Sequence, residues 1–258
     1  MRKDFHTHPK LMQDPARVEG YIARAKELGI GEICLTDHMP LSVSNAADRI
    51  PAGQVKEYLR RGRELAERYA GEITIRVGIE LDYHPDFVGE VEDALSAGDF
   101  DHRLASSHLH LFYDQANPPT YAAFAREALE NLCRATELPY FTAAAHLDMF
   151  RWVFRQSERF PLQESPYDWR DYEDLIREIF RNMKARGMHL EINPHFAEKT
   201  ADLALCYPER PILSLARAEG ISFCYGSDAH RASSVGAMLT ELANDPDYGP
   251  ALRSWEKT

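Results

Sequence analysis

The chain has 258 residues, 44% of them hydrophobic and 28% charged, with 30 Lys and Arg against 41 Asp and Glu for a net charge of −11. That composition fits a globular protein and excludes a disordered one. The acidic balance argues against tracking a long nucleic-acid backbone, which needs a basic surface, and no run approaches the ~20 apolar residues that span a bilayer. Short β-like runs alternate with longer helical ones. The first strand, Lys3–His6, is followed by a helix over Pro15–Leu28, the second, Glu32–Thr36, by Gly53–Tyr69, and the third, Ile73–Ile79, by Phe87–Ala97. His102–Ser107 then leads to a helix at Tyr121–Thr136, and Phe141–Ala145 to one at Trp169–Arg186. His189–Ile192 precedes Glu209–Glu219, and Ser222–Tyr225 precedes Ser233–Asn244. Glycines at Gly29, Gly187 and Gly220 mark three helix ends.

Seven βα units in strict alternation predict a parallel sheet with helices outside it. With no obvious switch point, the expected α/β architecture is a closed, TIM-barrel-like (β/α)7 barrel formed by residues 1–258 as one domain. The stretch Phe154–Asp168, rich in Pro and aromatics, reads as a long loop over one end. The four cysteines are widely spaced without a C-x-x-C pair, and the amino terminus has no apolar leader, so the expected setting is the cytoplasm.

The 11 histidines fall in a pattern. His6 and His8 close the first strand, Asp37 and His38 the second, Glu80 the third, His108 and His110 the fourth, and His146 the fifth. Glu191 and Asn193 close the sixth, and Asp228 and His230 the seventh. Side chains at i and i+2 of a strand point the same way, roughly 6.5–7 Å apart, and a parallel barrel gathers all carboxyl strand ends at one rim. So many buried polar groups in one place would cost several kcal/mol unless cations or a hydrogen-bond network offset it. His84, His102 and His189, none of them at the carboxyl end of a strand, read as ordinary solvated or hydrogen-bonded side chains. About eight imidazole and carboxylate ligands imply two or three divalent transition-metal ions, Zn, Fe or Mn, with Glu80 bridging. Hydrolysis is the expected chemistry. No G-x-G-x-x-G, P-loop or G-x-S-x-G motif is present, and a Ser–His–Asp triad would leave most of the cluster unexplained.

These residues resemble the PHP (polymerase and histidinol phosphatase) family, above all its histidinol-phosphatase branch. The matching pieces are Asp4-Phe5-His6-Thr7-His8, Thr36-Asp37-His38, Gly78-Ile79-Glu80-Leu81-Asp82-Tyr83, Ser107-His108, Ala145-His146, Glu191-Ile192-Asn193 and Gly226-Ser227-Asp228-Ala229-His230. The resemblance implies a distorted (β/α)7 barrel with a di- or trinuclear metal centre. It places one ion on His6, His8, Glu80 and Asp228, a second on Glu80, His108 and His146, and a third on His38 and His230. It also implies in-line attack on phosphorus by a metal-bridging hydroxide, with Glu80, Asp228 and His230 as catalytic residues and His230 or a water protonating the leaving group. Arg151 and Lys199 fall where the branch places phosphate-binding cations.

The chain departs from the branch in two places. A further His usually follows the H-x-H, where this chain offers only Asp14 as an oxygen ligand or a helix cap, and Glu198 stands where an Arg usually precedes Lys199. The expected substrate is a small phosphomonoester, L-histidinol phosphate first among them. The alternatives are a phosphodiesterase or nucleotide phosphatase, or a metal-stabilised module without activity.

Overall fold

The computed structural model describes residues 1–44, 47–113, 119–151 and 168–257. Seven parallel strands pair in sequence order: β1 (Arg2–Asp4), β2 (Ile30–Leu35), β3 (Thr74–Asp82), β4 (His102–Ser106), β5 (Ala143–Ala144), β6 (His189–Ile192) and β7 (Ser222–Tyr225). The sheet closes on itself through the segments that follow β1 and β7. Phe5 N–H donates to the Tyr225 carbonyl at 2.9 Å, Asp228 N–H to His6 at 2.8 Å, and His8 N–H to Ala229 at 2.8 Å. The barrel expected from the βα alternation is therefore present, and its seam runs through the His6–His8 and Asp228–His230 segments.

Helices α1 (Pro15–Glu27), α2 (Val55–Arg68), α3 (Val88–Leu95), α4 (Tyr121–Glu137), α5 (Glu173–Arg186) and α7 (Arg210–Ala218) match predicted ones. In α1, Pro15 opens the helix, where its missing N–H costs nothing. Val18, Tyr21, Ile22 and Ala25 then form a stripe at i, i+3, i+4 and i+7 that is fully buried. Each large side chain so buried contributes roughly 1.5–3 kcal/mol. The buried apolar side chains join in one contiguous core. Among the described residues, no helix is long and apolar enough to cross a membrane.

Several boundaries differ from the sequence reading. β1 stops at Asp4; beyond it Thr7 meets Thr36 half through a side chain, the Thr36 hydroxyl taking the Thr7 N–H at 2.9 Å while Thr36 N–H donates to the Thr7 carbonyl at 2.9 Å. β3 continues to Asp82, which puts Glu80 inside the strand. The ladder of β5 contracts to two residues. A continuous helix over Ser233–Asn244 does not form: Gly236 and Met238 both have positive φ, at 69° and 54°, and only α8 (Leu239–Asn244) remains. Among the described residues, helices α6 (His195–Thr200) and α9 (Tyr248–Trp255) were not foreseen. The Phe154–Asp168 loop lies outside the described residues except for Asp168, whose carboxylate accepts from Arg170 N–H to cap a short 3-10 turn.

Candidate metal centre

Each barrel strand delivers its polar end residue to one rim. Just past β1, His6 and His8 bring their Nε2 atoms to 2.9 Å of each other. Both face the Glu80 carboxylate of β3, with Oε2 at 3.3 Å from His6 and 3.4 Å from His8. His38, after β2, approaches the same oxygen at 2.9 Å through Nδ1. The other oxygen, Oε1, lies 3.0 Å from His146 Nε2 and 3.8 Å from His108 Nε2. Asp228, after β7, places Oδ1 at 3.2 Å from His8 and 3.4 Å from His230. All eight residues named as ligands from the sequence thus converge around Glu80 and Asp228. Asp228 and His146 do so from outside regular strand, with φ +54° and +27°, conformations that non-glycine residues hold only where their surroundings enforce them.

A second set of side chains orients these rings. Glu191, fully buried on β6, places Oε1 at 2.5 Å from His6 Nδ1, and its Oε2 accepts from His146 N–H at 2.8 Å and Asn193 Nδ2 at 3.1 Å. Asp82, two residues past Glu80, takes His108 Nδ1 and is itself held by Arg49 Nη1 at 2.6 Å. Asn193 also donates to Asp228 Oδ2 at 3.3 Å. With Nδ1 engaged outward, the ε nitrogens of His6 and His108 are directed to the centre, as outer partners do for metal-binding imidazoles. Sequence reasoning noted Glu191 and Asn193 as strand ends and Asp82 within a motif, and gave none of them a role. The signal was available, because Asp82 follows Glu80, and Asn193 follows Glu191, by two residues. Gly226 makes room for this layer: a Cβ there would lie 2.2 Å from Glu191 Oε1 and 2.3 Å from His6 Cβ.

The electrostatics are those of crowded, dry charge. Burial would raise the Glu80 carboxyl, but His38, His6 and His108 hold it well below the carboxylate range. Burial opposes ionisation of Asp228 too, and His195 and His6 override it in the same direction. Burial would lower His6, yet Glu191, Asp228 and Glu80 raise it well above an ordinary imidazole. His8 goes the other way, lowered by burial and by the neighbouring His38 and His230. His8 also buries its Nδ1 without a hydrogen-bond partner, which is costly unless something completes the site. Ionised carboxylates, imidazole nitrogens within 4.8 Å of one another in several overlapping triads, and an orphaned buried nitrogen are a donor set that fits divalent cations.

The remaining predicted residues fall at the margin. Lys199 on α6 reaches His195 Nε2 at 3.1 Å, and His195 in turn bonds the Asp228 carbonyl. Arg151 is largely buried, with Nε at 2.7 Å from Asp148 Oδ2, Nη2 donating to the Cys206 carbonyl at 2.9 Å, and its guanidinium over the Tyr207 ring. Asp14 is exposed at the start of α1 and makes no side-chain cap bond. His102 is buried at the opposite end of β4, bonded to Thr142 and packed edge-on against Phe5.

Residues 4–195 match the PHP domain, and residues 210–250 match the PHP-associated family. The chain belongs to the PHP family. A Deinococcus radiodurans protein named "Probable histidinol-phosphatase" is 28% identical over 252 residues, covering 94% of this chain and 91% of that one. The histidinol-phosphatase of Bacillus subtilis is 24% identical over 268 residues, covering 91% and 96%. Among solved structures, histidinol phosphate phosphatase from Lactococcus lactis, in complex with zinc, L-histidinol and phosphate, superposes with a TM-score of 0.73 at 20% identity, covering 93% of this chain and 91% of that one. A Listeria monocytogenes structure gives 0.71 at 21% identity, covering 93% and 99%. These superpositions share the barrel, and the sequence relatives span nearly the whole PHP chain.

Proposed function

We propose that this PHP protein is a metal-dependent phosphomonoesterase of the histidinol-phosphatase type, with L-histidinol phosphate as its first candidate substrate. The observation that carries the reading is the convergence of six imidazoles on Glu80 and Asp228, together with full-length relatives of that name. His6, His8, Glu80 and Asp228 would hold one cation, Glu80 with His108 and His146 a second, and His38 with His230 a third. Such ions, Zn, Fe or Mn, supply an activated water and neutralise phosphoryl charge. Around them the chain's own residues fix the geometry. Glu191 and Asp82 lock the rings of His6 and His108, and Asn193 turns Asp228 so that Oδ1 faces His8. His230 stands half-exposed at the mouth, its Nδ1 on the Asp228 carbonyl at 3.0 Å, and where no third cation takes its Nε2 it is the group placed to protonate the leaving alkoxide. Lys199 at the rim receives the anionic phosphoryl group, and Arg151 supports it from behind Asp148.

The ends of all seven strands feed this centre, so residues 1–258 act as one unit in this reading. The four cysteines are buried and unpaired, which supports a reducing, cytoplasmic setting. Protein loaded with zinc or manganese, assayed for phosphate release across a panel of small monoesters and a nucleotide diester, tests the proposal. Turnover of L-histidinol phosphate or another small monoester is expected. Release from none of them overturns it, and cleavage of the diester alone reassigns the site to a phosphodiesterase.

A further inference from the structure

Beside the metal-competent cluster runs a relay that the ligand assignments leave out. His195 opens α6, its backbone N–H bonded to Asn193 Oδ1 at 2.9 Å. Its Nδ1 lies 2.9 Å from the main-chain carbonyl of Asp228, the same oxygen that His230 Nδ1 meets at 3.0 Å. A carbonyl can only accept, so His195 carries its proton on Nδ1 and its lone pair on Nε2. That lone pair faces Lys199 Nζ at 3.1 Å, one helical turn further on, and an ammonium can only donate. The two bonds require the same tautomer and so reinforce each other. The Lys199 ammonium also rests 4.3 Å from the centre of the Phe196 ring, and the His195 ring meets His230 edge-on at 5.5 Å. A lysine on an exposed helix face samples many rotamers. Here an acceptor anchored to the Asp228 turn confines it.

We infer that His195 is a positioning residue, which ties Lys199 to the Asp228–His230 turn and holds its ammonium at the rim of the cluster for the substrate's anionic group. The role assigned to Lys199 rests on the phosphomonoesterase reading; the tie itself does not. Asn reproduces the Nδ1–H donor of a histidine but not the Nε2 acceptor, whereas Gln reproduces the acceptor. In zinc-loaded protein, His195→Asn should therefore raise KM for L-histidinol phosphate by roughly tenfold, with kcat within about threefold. His195→Gln, which keeps the acceptor for Lys199 but loses the donor to the Asp228 carbonyl, should raise KM less than His195→Asn does. In a Lys199→Ala background, His195→Asn should add nothing. Calorimetry with inorganic phosphate should show the same ranking of affinities. Nitrogen-15 NMR of histidine-labelled protein without substrate reads the tie directly: His195 should show the Nδ1–H tautomer, with an Nε2 shift that moves on Lys199→Ala.

An Nε2–H tautomer, or an equal KM rise from His195→Asn with and without Lys199, overturns the inference. A chain that releases phosphate from no ester yet shows the Nδ1–H tautomer and the Lys199-dependent shift overturns the phosphatase reading and upholds the tie.

Discussion

Replacing Glu191 with Gln removes a charge and almost no volume, so it isolates what that carboxylate does for the rings around it. Its two oxygens serve three donors: His6 Nδ1 at 2.5 Å on one side, His146 N–H at 2.8 Å and Asn193 Nδ2 at 3.1 Å on the other. Gln offers one oxygen. If that oxygen stayed with His6, the amide NH2 would confront two N–H donors, each left unsatisfied at about 1–3 kcal/mol. The amide therefore turns its oxygen to His146 and Asn193 and its NH2 to His6. The His6 ring must then accept at Nδ1 and carry its proton on Nε2, the atom 2.9 Å from His8 and 3.3 Å from Glu80. That proton occupies the lone pair that faces the centre. Loss of an outer partner of this kind costs 10–100-fold in metal affinity, or about 1.4–2.7 kcal/mol. Zinc affinity measured by chelator competition, with the ion count from elemental analysis, should show one site weakened by that factor while the circular dichroism spectrum is unchanged. A Glu191→Gln protein that binds every zinc ion as tightly as the parent would refute the reasoning.

Three further outcomes follow from the same geometry. Glu80→Gln takes away the carboxylate that His6, His8, His38, His108 and His146 all approach, and phosphate release should fall at least ~10³-fold with the fold intact; loss of the fold in step with activity would instead mark a structural centre. Gly226→Ala drives a Cβ to 2.2 Å from Glu191 Oε1 and 2.3 Å from His6 Cβ, so urea denaturation should show a loss of roughly 1–3 kcal/mol or more, and an unchanged midpoint would contradict the close approach. His102 is held neutral by burial, with His189 adding to the effect, and its pKa falls to about 3. A base depressed in the folded state contributes fully above its unfolded value near 6.5 and loses that contribution as the pH falls from 6.5 toward 3. Comparison with His102→Asn, which keeps the bond to Thr142, should therefore show the parent's advantage shrinking by about 2 kcal/mol between pH 7 and pH 5. Asp4 and Asp37, both pushed up to about 6 by burial, act in the opposite direction and cancel in that difference. A gap independent of pH would rule the titration out.

The barrel and the ring of ligands were legible because both rest on local signals. Glycine-ended helices alternate with apolar strands, and each strand stops at a His, Asp or Glu. The outer layer was not legible. A carboxylate at a strand end has the same sequence appearance whether it faces the centre, as Glu80 does, or holds a ring from behind, as Glu191 does. Arg49 reaches Asp82 from a loop 33 residues away in sequence, a pairing that no periodicity encodes. His195 sits on a six-residue helix, too short to show an apolar stripe. The break before α8 depends on positive φ at Met238 as well as Gly236, and a methionine gives no warning of that.

The acidic surplus of the chain acquires a different meaning once it is placed in the barrel. Glu80, Asp82, Glu191 and Asp228 are all buried at the rim, and Arg49 meets only Asp82 among them. A phosphate dianion entering that field would be repelled. The imidazoles offset part of it unevenly. His6 and His38 are raised by the carboxylates around them against the effect of burial, while His8 is lowered by burial and by His38 and His230 beside it. Protons on His6 and His38 occupy nitrogens that a cation would need. Cation loading must therefore release them and weaken in acid, the linkage expected wherever ligands deprotonate to bind metal. Anion binding is then conditional on cation binding, because divalent ions alone bring enough positive charge to turn a carboxylate-rich rim into one that holds phosphate.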